Sequence, residues 1–175
     1  GDAGAATELV AALKARHLQV ANDLLGAEQS KTITPALEQL FSDLDSFVRG
    51  VAAIRELSLR SSDLLLSFGE MLSSKIVAAA FAMRELETTW VDSRECVVTD
   101  GNHTAARPQM LETKAKSKSK IGPLVAKGKI PVMGGFIAAT ADGIGTTLGR
   151  GGSDFSAAII GAALDAKIIE IWTDV

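Results

Sequence analysis

The chain has 175 residues, 47% apolar and 22% charged, which is enough for one domain with a real core and too few for two ordinary ones. A net charge of −3 offers no basic field for the phosphates of a nucleic acid, so nucleic acid is not expected as a partner. A single cysteine, Cys96, excludes an internal disulfide framework and a thiolate metal cluster, and two distant histidines, His17 and His103, argue against zinc.

No stretch is read as approaching the ~20 apolar residues of a membrane span, and the N-terminus lacks a basic, apolar leader. A cytoplasmic protein without membrane contact is the expectation. The chain starts without methionine and stops on "IWTDV", so it is read as an internal piece of a longer protein.

The first third is helical. Val10, Leu13, His17, Val20 and Leu24 recur at helical spacing up to Gly26. Thr34 and Pro35 then predict an N-cap and first helical residue, with Leu37, Leu40, Phe41, Leu44 and Val48 as the apolar stripe. Ser61–Ser62–Asp63 predicts the cap of a third helix running to about Leu86. His17 lies in an apolar stripe and is read as a packed histidine.

Thereafter the period shortens. "TTWV" and "CVV" predict strands, and 108–127 predicts a helix carrying "KAKSKSK", whose alternating lysines spread around the axis as a solvated surface. "KIPVMGGFIAA" predicts a strand running into Gly134 and Gly135; residues 153–165 predict a helix, and "KIIEIW" a strand. Strand, helix and strand with short links imply a parallel sheet covered on both faces. Cys96 is expected to be buried, and His103, in a loop, has no assigned role.

Three constellations carry polar chemistry. In "TTLGRGGSDFS", Gly149, Gly151 and Gly152 permit positive φ or close approach, and Ser153 and Asp154 open a helix whose free N–H groups favour anions. That helix is apolar nearly all round, so it is expected to be buried, with Arg150 the cation beside its start. Ser153 or Asp154 as a simple N-cap, with Arg150 as a surface partner, fits the composition equally well. The loop is neither a GxGxxG fingerprint nor a P-loop. In "SFGEMLSS", Glu70 has Ser67, Ser73 and Ser74 beside it, which leaves room for a ligand amine; an exposed glutamate on a solvated face is the alternative. Finally, Thr173–Asp174 and Gly134–Gly135 each follow a predicted strand, at the sheet edge where open α/β folds bind ligands; ordinary βα turns are the alternative there.

"SFGEMLSSKIVAAAF", "GGFIAATADGIGTTLGRGGSDFSAAIIGAAL" and "EIWTDV" resemble aspartate kinases in order and approximate spacing, with "WVDSRECVVTD" and "AARP" similar to the segment between. The resemblance is weakest over residues 1–50. It implies an amino-acid-kinase fold, a three-layer α/β/α sandwich around a mainly parallel sheet, with residues 1–175 forming part of the catalytic domain. It further implies transfer of the γ-phosphoryl group of ATP, as its Mg2+ complex and without a dedicated protein metal site, to the side-chain carboxylate of L-aspartate. By the same resemblance Arg150 would clamp the α-carboxylate, Glu70 would pair with the α-ammonium, and Phe136, Thr147 and Ser153 would line the pocket. Asp154 would organise the phosphoryl group, and Thr173 and Asp174 would begin the nucleotide site. The parent is expected to be a homo-oligomer, in the plastid if it is a plant protein. The family's opening "KFGGTS" strand, the remainder of its nucleotide pocket and its ACT domains have no counterpart in these residues, so the piece alone is expected to lack useful kinase activity. Another amino-acid kinase, or a non-catalytic carboxylate-binding module, is the alternative reading.

Overall fold

The computed structural model describes residues 3–172. Helix α1, Ala3–Ile54, is broken at Gly26, whose φ of 74° and ψ of 164° lie outside helical space. The two arms fold back on each other: Lys14 pairs with Glu38 at 3.4 Å, and the His17 ring meets Phe41 edge-on at 5.4 Å. The expected end at Gly26 and the packed His17 are thus observed. The second arm, however, is helical from the break onward, with Pro35 inside it. Thr34 does not cap; its hydroxyl donates to the Ser30 carbonyl at 2.9 Å. Seating Leu25, Ile33 and Leu37 in one core outweighs the bond that proline removes.

Helix α2, Leu59–Ala82, is capped by Ser58, whose hydroxyl accepts from the Ser61 N–H at 3.1 Å. The cap therefore lies ahead of the expected Ser61–Asp63, and Asp63 is buried inside the helix. The helix also stops before Leu86: Glu85 turns the chain at φ 61°, and Thr88 bonds back to the Ala78 carbonyl at 2.9 Å. By length and composition α2 could cross a membrane, which corrects the reading of the sequence. Its Phe68, Met71, Leu72, Ile76 and Ala80 instead fill a core with Val10, Leu37, Phe41, Leu44 and Ile137.

The sheet is two bent parallel strands plus a hairpin. Strand β1 (Thr88–Val91) pairs in parallel with β3 (Ile130–Met133), and β2 (Val98–Thr99) with β4 (Ile137–Thr140). Thr88 faces Ile130 whereas Val98 faces Ala139, so the first chain holds one residue more between the two ladders. A 3-10 turn at Ser93–Glu95 takes up the excess, which leaves Cys96 in the turn and shortens the expected "CVV" strand. Strand β5 (Gly145–Thr147) returns antiparallel to β4.

The second helical layer contains α3 (Met110–Lys120), the short α4 (Gly122–Ala126) and α5 (Gly152–Ala163). The expected 108–127 helix is therefore two, divided at Ile121 ahead of Gly122–Pro123. Buried Thr113 exchanges hydrogen bonds with the Val98 backbone at 3.0 and 3.1 Å, which fastens α3 to β2. The lysines face outward: Lys114 and Lys118 clasp Asp165 at 2.8 and 2.7 Å, and Lys120 clasps Glu95 at 2.5 Å. Val97, Ala138, Leu148 and Ile159 form the core on this side, and Cys96 lies in a neighbouring cluster with Val91 and Ile121. Helices on both faces give the three layers.

Two expectations fail at the C-terminal side. Helix α5 buries Gly152, Ser156, Ile159 and Ala163 but leaves Phe155 46% exposed. Residues 167–172 form no strand. A strand exists only through ladder partners, and among the described residues none pairs with this segment.

Candidate active site

The site is built around the bend between β3 and β4. Ser93, buried at the 3-10 turn, donates its hydroxyl to the Gly134 carbonyl and so fixes the bend from below. A Cβ on Gly134 would stand 3.1 Å from Cβ and the carbonyl oxygen of Glu70, and one on Gly135 would stand 3.0 Å from Cα of Ser153. Only glycines let α2 and the start of α5 approach the bend so closely. Phe136 follows at φ 69°, with its N–H donating to the Ser156 hydroxyl at 2.8 Å and its carbonyl accepting from the Leu148 N–H at 2.9 Å. Ser156 in turn donates to the Gly152 carbonyl at 2.7 Å. On Gly152 a Cβ would fall 2.8 Å from the Phe136 ring.

These contacts draw Glu70, Gly134, Gly135, Phe136, Gly152 and Ser153 into one knot. A cavity of ≈ 370 Å³ opens beside it, bounded by Pro131, Met133, Gly134, Gly135, Ser153 and Ala157. Helix α5 begins with Gly151 in the left-handed region at φ 72° and has no side-chain cap; the Gly152 N–H donates to the Gly149 carbonyl at 3.0 Å, which leaves the Ser153 and Asp154 N–H groups for an anion. The simple N-cap reading of Ser153 or Asp154 is thereby set aside. Gly149, at φ 79°, leaves just enough room for the Thr104 carbonyl, 3.0 Å from where its Cβ would be.

The charged members stand ready but unpaired. Arg150 and Asp154 are exposed, and among the described residues neither makes an ion pair with the other or with a third group. Among the described residues the half-buried Glu70 carboxylate also has no cation partner, and burial raises its pKa above the ordinary 4.5. Its serine neighbours do not reach out to a ligand: Ser73 and Ser74 donate to the carbonyl of Glu70 at 3.3 and 2.6 Å, and Ser74 accepts from the Trp90 indole at 2.9 Å.

One expected pocket residue is placed elsewhere. Thr147 is 1% exposed, and its hydroxyl donates to Asp63 at 2.5 Å, because the carboxylate buried in α2 needs donors and β5 supplies the nearest. Thr173 and Asp174 lie outside the described residues. Reasoning from sequence missed Asp63, His103, Ser93 and Ser156. The signal for Asp63 was present, since it precedes Glu70 by two helical turns on the same face.

A model of the amino acid kinase family matches residues 3–175. The chain belongs to the amino acid kinase family. Among its relatives, the chloroplastic bifunctional aspartokinase/homoserine dehydrogenase 2 of Zea mays is 34% identical over 91% of this chain and 17% of that protein. The aspartokinase of Chlamydia muridarum is 30% identical over 98% of this chain and 36% of its own length. The crystal structure of E. coli aspartokinase III in complex with aspartate and ADP superposes with a TM-score of 0.80 at 26% identity, over 98% of this chain and 41% of that one. This amino acid kinase chain therefore spans well under half the length of these relatives. The bent sheet between two helical layers is the amino acid kinase fold expected from the sequence.

Proposed function

We propose that the protein containing this chain transfers the γ-phosphoryl group of ATP to the side-chain carboxylate of L-aspartate. The observation that carries the reading is the pair of unpartnered opposite charges, Glu70 and Arg150, on elements that meet at the Gly134–Phe136 bend. An amino acid presents the complementary pair. Arg150 would grip the α-carboxylate through two parallel N–H bonds, and Glu70 would receive the α-ammonium. Phe136 and Ser153 would bound the pocket. That the relatives are aspartokinases, and that the structural neighbour holds aspartate and ADP, supports aspartate as the substrate.

The attacking atom is then an oxygen of the substrate's own side-chain carboxylate. It forms a bond to the γ-phosphorus while the bond to the β,γ-bridging oxygen breaks, which yields aspartyl phosphate and ADP. A carboxylate needs no general base, so the protein's part is positioning and charge stabilisation. The uncapped N-terminus of α5, with Asp154 beside it, would orient the phosphoryl group, and Thr173 and Asp174 would contribute to the nucleotide site. Mg2+ would arrive on the nucleotide. The working enzyme would be a homo-oligomer, cytoplasmic or, in a plant, plastidial like the chloroplastic relatives.

Charged hydrogen bonds contribute about 1.5 to 3 kcal/mol each, so Arg150→Ala should raise the KM for L-aspartate about tenfold or more in the full-length protein. Calorimetry with L-aspartate, L-glutamate and D-aspartate, alongside a phosphoryl-transfer assay, provides the check. An unchanged KM in the variant would remove Arg150 from the site, and a preference for L-glutamate would redirect the substrate assignment.

A further inference from the structure

Among the described residues, no hydrogen bond runs from residues 148–151, the loop carrying Arg150, to α2, the helix carrying Glu70. The two are joined through a carboxylate that the proposed chemistry does not use. Asp63 lies two turns before Glu70 on the same face of α2, and its side chain is wholly buried. Its oxygens accept from three donors on two other segments. The Thr147 hydroxyl lies 2.5 Å from Oδ1, the Thr104 N–H lies 3.0 and 3.1 Å from the two oxygens, and His103 Nδ1 lies 2.6 Å from Oδ2.

Two of the donors, Thr147 and Thr104, sit directly behind the Arg150 loop. Thr147 ends β5, and its carbonyl accepts from the Ala106 N–H at 2.9 Å. Thr104, held at φ 67°, presents its carbonyl to Gly149, the residue before Arg150. The single carboxylate thus closes residues 103–106 over the end of β5 and ties both to α2.

We propose that Asp63 is a positioning residue for the substrate: through Thr147, Thr104 and His103 it sets the spacing between Glu70 and Arg150, the two grips on the amino acid. This rests on the function proposed above. The physical case is one of cost. A buried charge with several polar partners gains little stability over an apolar cluster of the same volume, because desolvation offsets the attraction. Directional bonds from two segments onto two oxygens do what apolar packing cannot, which is to define one position for the loop. Two charged grips on a rigid ligand demand that definition, since small misplacements cost large factors in rate.

The test is steady-state kinetics on the full-length protein, measuring the KM for L-aspartate and the KM for ATP separately, with thermal unfolding as a check on folding. Asp63→Asn should raise the KM for L-aspartate about tenfold or more while the KM for ATP stays within about twofold. His103→Leu should shift the same constant in the same direction, and His103→Asn, which keeps a donor near Oδ2, should restore most of it. If Asp63→Asn does not fold, the two His103 variants decide alone. Folded variants in which both KM values rise together, or neither moves, would overturn the proposal and leave Asp63 a structural tie. A wild-type protein that does not phosphorylate L-aspartate would overturn the functional reading and this proposal with it; an active wild type with unsplit constants would overturn only the proposal.

Discussion

Glu70 shows how one residue can be costly to the fold and useful to the site. Burial raises its pKa above the ordinary 4.5, so the folded chain holds the carboxyl proton more tightly than the unfolded chain does. Its contribution to stability is present below the unfolded value and lost as pH rises through the raised folded value. A bound ammonium reverses the balance by favouring the carboxylate. Affinity for L-aspartate should therefore weaken as pH falls through the raised pKa, with the acid limb above the ordinary 4.5. A pH series of kcat/KM for L-aspartate checks this, and Glu70→Gln should both weaken binding and abolish that limb. Persistence of the limb in the Gln variant would assign it to another group. Cys96 makes a contrast: burial and nearby Glu95 push its thiol up to about 11 against a smaller pull from Lys120 and Lys116, and it is a buried core residue, as its sequence context indicated.

At the scale of elements, local rules held wherever the backbone itself carried the signal. Gly26 ends the first arm of α1 because its φ and ψ belong to a region that residues with a Cβ scarcely enter. Gly26→Ala should cost about 1 to 3 kcal/mol although no atom lies within 4 Å of the new methyl group, since the strain is in the backbone. Gly50→Ala, also in open space but inside the helical second arm, should stabilise by about 0.5 to 1 kcal/mol. Denaturant unfolding of the two variants should thus move in opposite directions; two shifts of the same sign would refute the account. Pro35 and Ser61–Asp63 misled for a shared reason. Each is a good helix start in isolation, but burial of Leu25, Ile33 and Leu37 around the first, and of Asp63 in the second, carried the helix through.

For the whole molecule, exposed apolar side chains occur along the length of the chain, and several follow one another after α5. Ile168 is 75% exposed and Trp172 88% exposed, and Phe155 of α5 is exposed as well. Ile169 fills the gap at Gly161, where a Cβ would fall 2.4 Å from its Cδ1, so the segment that forms no strand still rests on α5. An apolar surface of this kind promotes association. Residues 1–175 in isolation should therefore self-associate with rising concentration, and Ile168→Ser with Trp172→Ser should reduce it. Sedimentation velocity provides the measurement. Equal association by the doubly substituted chain would mean that another surface is responsible.

The sequence by itself determined the class of the fold, the helical first third, the break at Gly26, the strand at Thr88–Val91 and the glycine-rich approach to α5. These are properties of local periodicity and backbone freedom, which neighbouring residues specify. It also pointed to Glu70, Arg150 and the Gly134–Gly135 bend through the resemblance of whole motifs. Tertiary structure alone decided that Thr147 turns away to Asp63, that His103 has a partner forty residues distant, and that 167–172 stays out of the sheet. A buried carboxylate draws donors from wherever the chain returns to it, and a strand needs a ladder partner. Neither requirement is written in the residues next door.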